Sequence, residues 1–456
     1  MKNFTYKLLL PNITRIFFLS VIVLTFPIEV NAQEAITLPQ AIDRMLKNNL
    51  NIKQGFLNVA TSDVNLRQSK AALLPDLNAS ASNNISFGRG LDQTSFQIVN
   101  QKLFQSSGSI GTSVDLFGGF TKVNQIRQNK ILLEADNSNL NKIKNDLTLD
   151  VVVSYMQVVY NEDLLKASKE QLLVAEQTLK RENALMDVGN KTMADISQAK
   201  AQVATAELNV TNAQNSLTIS YLTLSQLMEM GADMNAFKVV APTIAEIEIA
   251  QTNYKVNDVY DIALKTQPDI KLAALNSQAA EKGIAIAKGS YYPKISLDAG
   301  LRSSYSYTFN SDFNQDNFTT QVKDRFNQYI GLSLQIPIFN GLSAKSNVKR
   351  AKINYQGYQI QEQLAKNNLS KIIAQAVADL KAAESRYVST QNTYNAQKDA
   401  FNVIDQRYNV GLVNSLDYNT SITNRNKAEI DFIQAKYDLL FRSKVIDYYL
   451  GKQITF

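Results

Sequence analysis

The spacing of apolar and polar positions changes period several times along the chain, and the changes come twice in the same order. From Leu38 to about Ala72, Ala41, Ile42, Met45, Leu46, Ile52 and Leu57 follow the steps of three and four that make one helix face. Asn48, Asn49 and Asn51 are poor helix formers and leave room for a break near Leu50. Pro75 ends the helix. The period then drops to two. Leu77, Ala79, Ala81, Ile85 and Phe87 alternate with Asn78, Ser80, Ser82, Asn84 and Ser86, spoiled at Asn83, which predicts a strand over 77–87. Gly88 to Gly108 reads as a polar loop, and Ile110, Thr112, Val114 and Leu116 predict a second strand over 109–117. Gly118-Gly119 closes it and starts a helix from about Phe120 to Met186, with Leu133, Leu140, Leu147, Val151, Tyr155 and Val158 on heptad-like spacing. After a turn at Gly189-Asn190, an alanine-rich helix runs from about Thr192 to Met230.

Residues 232–253, punctuated by Pro242, read as a linker, and then the plan returns. A helix over Val256 to Ser290 is stopped by Pro293, and strands over 294–309 and 326–339 flank a polar loop, Asn310 to Asp324. The segment Asn340 to Tyr408 contains no proline, so it predicts one helix roughly 100 Å long at ~1.5 Å rise per residue. Lys366, Lys371, Asp379, Lys381, Glu384 and Arg386 interrupt it, so it is a water-exposed helix in need of partners and not a hydrocarbon span. A turn at Gly411, a helix from Leu416 to Leu450 and a short tail over 451–456 complete the chain. An offset of 218 lays Leu38 on Val256 and Pro75 on Pro293; an offset of 222 lays Gly119 on Gly341, Gly189 on Gly411 and Asp195 on Asp417. The sequence is an internal duplication, with repeats over 33–231 and 254–450.

Each strand carries an apolar face close to the roughly 9 to 11 residues that a lipid-crossing barrel strand needs. A soluble hairpin resting on a core would alternate in the same way, but an export signal tips the balance. Lys2, Lys7 and Arg15 precede a short apolar core from Ile16 to Ile28 and the small-residue site Val30-Asn31-Ala32, so residues 1–32 read as a signal peptide with Gln33 as the mature start. Tyr305, Tyr307 and Phe309 at one strand end suit an interfacial girdle, and Asp298 and Arg302 on the other face suit a wet lumen. Four strands cannot close a barrel, and an open edge in lipid is forbidden. Several chains must therefore share one barrel, and three would give twelve strands.

Composition removes most chemistry. The chain has no Cys and no His, hence no disulfide, no thiolate, no imidazole base and none of the commonest metal ligand. No His-Glu metal motif and no phosphate-binding glycine loop before a lysine occurs. Asp146 and Asp150 are i,i+4 neighbours that read as solvated. No enzyme, cofactor or metal site is expected. The formal charge of +6 includes the basic leader, and no nucleic-acid partner is expected.

Pro293 opening a strand, Ile336-Pro337-Ile338-Phe339-Asn340-Gly341 closing one, and Val410-Gly411-Leu412 ahead of Asp417, set in a duplicated order, resemble the TolC family of outer-membrane efflux proteins over essentially all of the mature sequence. The resemblance implies a mainly α protein with transmembrane β-structure. It implies a homotrimer with a 12-stranded β-barrel, four strands per chain, in the outer-membrane lipid of a Gram-negative bacterium, continued by a long periplasmic α-helical coiled-coil barrel. It further implies a periplasmic adaptor (membrane fusion) protein and an inner-membrane RND or ABC transporter as partners. By the same resemblance Val188, Gly189, Val410, Gly411 and Leu412 form the tips that meet the adaptor. Asp417 matches an acidic ring at the entrance whose next acidic position is Thr420 here, and Tyr408 and Asp195 match a pair that helps hold the entrance shut. The arginine that commonly assists is replaced by Val413, and Asp115 stands where a strand-end proline is common. The residues themselves admit a plainer reading: Gly189 and Gly411 as left-handed turn residues, and Asp195 and Asp417 as helix-start charges. The expected function is the exit duct of a tripartite efflux pump. The alternatives are the exit duct of a type I protein secretion system and a surface coiled-coil structural protein.

Overall fold

The computed structural model of the chain describes residues 34–91, 96–231, 237–241, 254–309 and 314–452. The expected signal peptide lies outside them. The first repeat comprises β1 (Glu34–Ile36), α1 (Leu38–Asn48), α2 (Leu50–Ala71), β2 (Asp76–Leu91), β3 (Ile98–Gly118), α3 (Thr121–Asp187) and α4 (Met193–Leu227). After β4 (Phe237–Val239), the second comprises α5 (Val256–Thr266), α6 (Pro268–Lys288), β5 (Lys294–Phe309), α7 (Phe318–Asp324), β6 (Asn327–Gln335), α8 (Ser343–Asn409) and α9 (Ser415–Tyr449). The offset of 222 carries both ends of α3 onto α8 and both ends of α4 onto α9, so α3 and α8 are 67 residues each and α4 and α9 are 35. Among the described residues no helix is long and apolar enough to cross a membrane.

The break near Leu50 is real: Asn49 caps α2, its side chain accepting from Asn51 N at 2.9 Å while its amide donates to Leu227 O at 3.1 Å. The second repeat breaks at the equivalent place, which the single helix expected over Val256 to Ser290 did not anticipate. Gln267 precedes Pro268, whose ring cannot follow a continuous helix, and the Gln267 amide reaches Tyr448 O at 3.4 Å. At the strand-to-helix corners Gly119 and Phe120, and again Gly341 and Leu342, take left-handed backbone angles, which only glycine adopts without steric cost.

β2, β3, β5 and β6 form one antiparallel sheet in that order, leaving β2 and β6 as open edges. Several expectations are corrected. The loop expected over Gly88 to Gly108 is largely strand, since β2 continues to Leu91 and β3 begins at Ile98. Within Asn310 to Asp324 the chain forms the helix α7. The strand expected over 326–339 ends at Gln335, ahead of Pro337, which has no N–H to give to a ladder. Above Arg302 the edge of β5 has no strand beside it. Side-chain amides replace one: Gln321 exchanges two bonds of 3.0 Å with Ser306 N and O, and Gln315 bonds Thr308 N at 2.7 Å and O at 2.6 Å. The expected linker also contains structure, because β4 pairs in parallel with β1.

Two cores fill the helical body. One gathers Ile36, Met45, Val151, Tyr155, Leu224 and Phe237; the other gathers Val259, Ile373, Leu380, Leu439 and Ile446. Tyr155 pins the small sheet to α3: its hydroxyl donates toward Ile36 O (3.0 Å) and Val240 O (2.7 Å) and accepts from Val240 N (2.9 Å). Burial pushes this phenol up to about 12, so it stays neutral and able to donate.

Candidate functional site

Two regions carry chemistry that a packed core does not require: the wall formed by the sheet and the tip where both helical hairpins turn. Strand register sorts the wall into two faces. On one, Ala79, Ile110 and Leu301 lie in line across three strands, as do Val114, Leu297 and Leu332. This face is apolar and unprotected, with Leu77 75 %, Ile330 76 % and Leu332 67 % exposed. Aromatic side chains mark its far end: Tyr305 lies 6.2 Å from Phe104 and 5.2 Å from Phe318 of α7, and Tyr307 lies 5.1 Å from Phe309. Lys102 sits over the Phe309 ring at 4.3 Å, so its charge rests at the border of the apolar band.

The other face is small and polar. Ser80 bonds Ser109 at 2.8 Å and Ser82 bonds Ser107 at 2.7 Å, side chain to side chain across the strands. Gly111, Gly300 and Tyr329 align in register, and the tyrosine ring covers Gly300 closely enough that a Cβ there would meet it at 2.9 Å. The aromatic side chain therefore lies flat on the sheet. Where this face meets the helices, Asp115 pairs with Lys122 at 2.7 Å, and Lys122 also donates to Ala72 O at 2.7 Å. The strand-to-helix corner is thus held by a salt bridge, with Asp115 as its acidic member.

At the tip, Gly189 and Gly411 have φ of 78° and 76°, and each N–H closes its turn, onto Met186 O at 2.8 Å and Tyr408 O at 3.1 Å. Val188, Val410 and Leu412 are 68–69 % exposed around them. The turn residues expected from sequence therefore lie at the two hairpin tips.

Tyr408 and Asp195 are brought close but are not bonded to each other among the described residues. Tyr408 is buried and stacked on Tyr418, with ring centroids 4.3 Å apart. Its hydroxyl accepts from Lys191 Nζ at 2.9 Å, and Lys191 also donates to Ser415. Asp195 is bound mainly to its own helix start, accepting from Thr192 N at 3.0 Å and Thr192 Oγ1 at 2.8 Å. These two bonds hold its carboxyl below the ordinary carboxylate range, and the Ser415 hydroxyl and Lys191 add to the effect. Ser415 and Lys191 are therefore the bridge between the expected pair.

Sequence reading missed the centre of this cluster. Glu182 is 2 % exposed, and its carboxylate lies 3.3 Å from Lys191 Nζ. Neither Glu182 oxygen has a hydrogen-bond partner, so Lys191 is the charge that compensates it. Arg181 lies over the rings of Tyr408 and Tyr418 at 4.8 and 5.1 Å, and its head reaches Asn409 and Asp405. The available signal was an Arg-Glu pair between the apolar heptad positions Leu179 and Met186.

Asp417 behaves differently from its counterpart Asp195. The cap of α9 is Asn414, which accepts from Asp417 N at 2.8 Å. Asn414 replaces the Thr192 hydroxyl, so the Asp417 carboxylate has no hydrogen-bond or ion-pair partner among the described residues and is exposed. Thr420 is exposed as well, its hydroxyl turned back to Leu416 O at 2.9 Å.

Comparison with known proteins agrees with this geometry. The family model described as outer membrane efflux protein matches residues 41–229 and 259–452, once on each repeat. The chain is 22 % identical over 409 residues to outer membrane efflux protein BepC of Brucella suis, covering 89 % of this chain and 83 % of that protein. It is 22 % identical over 413 residues to toxin and drug export protein A of Aggregatibacter actinomycetemcomitans, covering 88 % and 83 %. The solved structure of outer membrane protein VceC of Vibrio cholerae superposes with a TM-score of 0.76 at 18 % identity, covering 91 % of this chain and 96 % of that one.

Proposed function

The chain belongs to the outer membrane efflux protein family, and from that premise we propose that three copies form a single closed duct whose periplasmic tip opens and shuts. The protein is an outer-membrane channel with a periplasmic helical part, the exit duct of a tripartite-type efflux system, working with a periplasmic adaptor and an inner-membrane transporter and not as an enzyme. The observation that carries the finer reading is the sheet: apolar on one face, small and polar on the other, and unpaired along both edges. A sheet of that kind is stable in lipid only when further copies close it.

In the proposed entrance, Tyr408 and Ser415 of the second hairpin are latched to Lys191 and Asp195 of the first. Asp417 and Thr420 face the passage, and Val188, Gly189, Val410, Gly411 and Leu412 receive the adaptor. Family resemblance supports these roles, and so does the exposure of the tip residues. Small-molecule efflux with an RND transporter is the leading assignment. Protein secretion with an ABC transporter is the second, favoured by the likeness to toxin and drug export protein A.

The test is native mass measurement in detergent combined with a susceptibility assay in a deletion strain. Trimers, together with drug sensitivity relieved by the restored gene, are expected. A stable monomer would remove the shared duct. Normal drug resistance with loss of a secreted protein would move the assignment to the ABC alternative.

A further inference from the structure

Just below the sheet, both repeats carry a run of basic residues at the head of their longest helix. α3 has Lys122, Arg127 and Lys130 before its first acid, Glu134. α8 has Lys345, Lys349, Arg350 and Lys352 before its first acid, Glu362. At the offset of 222, Arg127 lies on Lys349 and Lys130 on Lys352, although most of the residues around them have changed. Val123, Arg127 and Lys130 form one exposed stripe, and so do their counterparts Lys345, Lys349 and Lys352. Lys122 is bound to Asp115, and Arg127 donates to Asn124 at 3.4 Å. Lys130, Lys345, Lys349 and Lys352 have no acidic partner among the described residues.

Geometry puts this stripe on the side of the apolar face. α3 meets α2 through Lys122 and Asn129, which donate to Ala72 O at 2.7 Å and Asn65 O at 3.3 Å, and it meets α6 through Gln128, which donates to Ala279 O at 2.9 Å. At ~100° per residue those two flanks point about 100° apart, and positions 123, 127 and 130 point away from both. In a closed tube both neighbours of a helix lie toward the axis, so the side facing away from both is the outer one. The corner agrees. Phe117 is in register with Ile295 on the apolar face, and the exposed Phe120 meets it edge to face at 5.3 Å. The strand-end acids Asp76 and Asp115 lie on the polar face instead. Helix direction extends the reach. Side chains lean toward a helix N-terminus, and in α3 and α8 that is the end at the sheet, so these long chains lean toward the membrane. They stand roughly 5 to 15 Å from the corner at ~1.5 Å per residue, next to a headgroup layer roughly 5–8 Å deep.

Building on the closed ring proposed above, we propose that this stripe, Arg127 and Lys130 on α3 with Lys345, Lys349 and Lys352 on α8, binds the phosphate headgroups of acidic phospholipid in the periplasmic leaflet of the outer membrane. The apolar face of the sheet takes the acyl chains, Phe117 and Phe120 mark the border, and the bases take the phosphates beneath it. Helix stability offers no reason for the arrangement. Lys345, Lys349 and Lys352 are like charges at i,i+4 and i,i+3 spacing, which repel, and cations near a helix start oppose its dipole. An anion seated between them offsets both costs. The stripe on α3 stays exposed although α2 and α6 already flank that helix, so the stripe on α8 stays exposed when the ring closes. Each chain then offers two such stripes, and their phosphates hold the barrel at a fixed depth.

The test reconstitutes the full protein in vesicles of equal parts phosphatidylcholine and phosphatidylglycerol, extracts it in detergent, and counts the lipid kept per trimer by mass spectrometry. The parent should keep phosphatidylglycerol in preference to phosphatidylcholine and lose it as salt in the wash rises, a measurement that needs no variant. Lys345→Gln, Lys349→Gln and Lys352→Gln together should halve the retained phosphatidylglycerol, and adding Arg127→Gln and Lys130→Gln should lower it about fivefold or more. The control makes the same charge change lower on the same helix, with Lys371→Gln, Lys381→Gln and Lys398→Gln, all at exposed positions, and should keep the parental amount. Lys349→Arg with Lys352→Arg should also keep it. Equal retention of both lipids by the parent, or equal losses in the stripe variant and the control, would overturn the proposal while leaving the ring intact. Binding of the parent but not the stripe variant to purified cell-wall sacculi, with no lipid preference, would overturn it in favour of an acidic glycan. Monomers in the unsubstituted protein would instead overturn the ring.

Discussion

The two helical hairpins have the same backbone and different interiors. Along α3, Leu165, Leu172, Leu179 and Met186 fall at heptad steps, as do Ile196, Val203, Val210 and Leu217 along α4. At the equivalent positions α8 presents Tyr387, Tyr394, Phe401 and Tyr408, and α9 presents Tyr418, Arg425, Phe432 and Leu439. The second seam is an aromatic ladder: Tyr394 stacks on Phe432 at 5.6 Å, Phe401 meets Tyr418 at 5.9 Å, and Arg425 lies over Phe401 at 5.4 Å. Glu429, itself buried, is held there by Gln171, Tyr394 and Arg425, each at 3.3 Å. Aliphatic seams pack without direction and tolerate little separation. Rings and paired charges bind in discrete, directional arrangements. Burial follows the same division, since α3 is covered on two sides down to Glu182 whereas α8 has no buried residue between Ala383 and Tyr408. Duplication preserved the frame and changed the side chains, giving the first hairpin an aliphatic seam and the second an aromatic one.

The two hairpins should differ most at the tip. Lys191→Ala leaves the buried Glu182 without its compensating charge, a change that costs about 3–5 kcal/mol. Hydrogen exchange should rise across 180–195 and 405–418, whereas Val413→Ala at the equivalent position should stay within about 0.5 kcal/mol. Equal protection in the two variants would erase the asymmetry. Tyr408→Phe comes next. It removes the hydroxyl that accepts from Lys191 and should cost about 1.5–3 kcal/mol, while Met186→Leu at the matching position is nearly neutral by thermal unfolding.

A smaller effect separates the two helix caps. Thr192→Ala and Asn414→Ala should each cost about 1 kcal/mol. The first cap should depend on pH. The carboxyl of Asp195 titrates lower when folded than when unfolded, so its contribution is complete above the ordinary carboxylate range and is lost as pH falls through and below about 4. Melting of Asp195→Asn and of the parent should therefore converge in acid, and a constant difference down to pH 2 would contradict the capping account. Least disruptive to stability is Asp417→Asn. With its carboxylate unpartnered, unfolding should be unchanged, while the reversal potential in a salt gradient should shift toward weaker cation preference. An unshifted potential would place Asp417 outside the passage.

How much of this was legible in sequence depended on whether a signal was local. Period and length located the long helices, because more than 60 residues of uninterrupted pattern leave little freedom, and the offset of 222 was readable from Gly119, Gly189 and Asp195 alone. The outer ends of β2 and β3 were not legible. Gly88, Arg89, Gly90, Gln101 and Lys102 are polar or small on both faces, so no apolar alternation marks them as strand. β1 and β4 are three residues each, below any periodic signal. At the tip, resemblance pointed to Tyr408 and Asp195, but the residues that join them, Lys191, Ser415 and Glu182, become neighbours only when the two hairpins pack together.

The proposed latch between the hairpins would set the conductance of the closed entrance, which single-channel recording in planar bilayers reads out. The purified parent and the Lys191→Ala variant are compared at equal trimer content. If Lys191 holds Tyr408 and Ser415 to the first hairpin, the parent should conduct in small steps and the variant in steps several-fold larger. Identical step sizes, with the variant's tip shown by hydrogen exchange to be loosened, would contradict the claim that this latch closes the entrance.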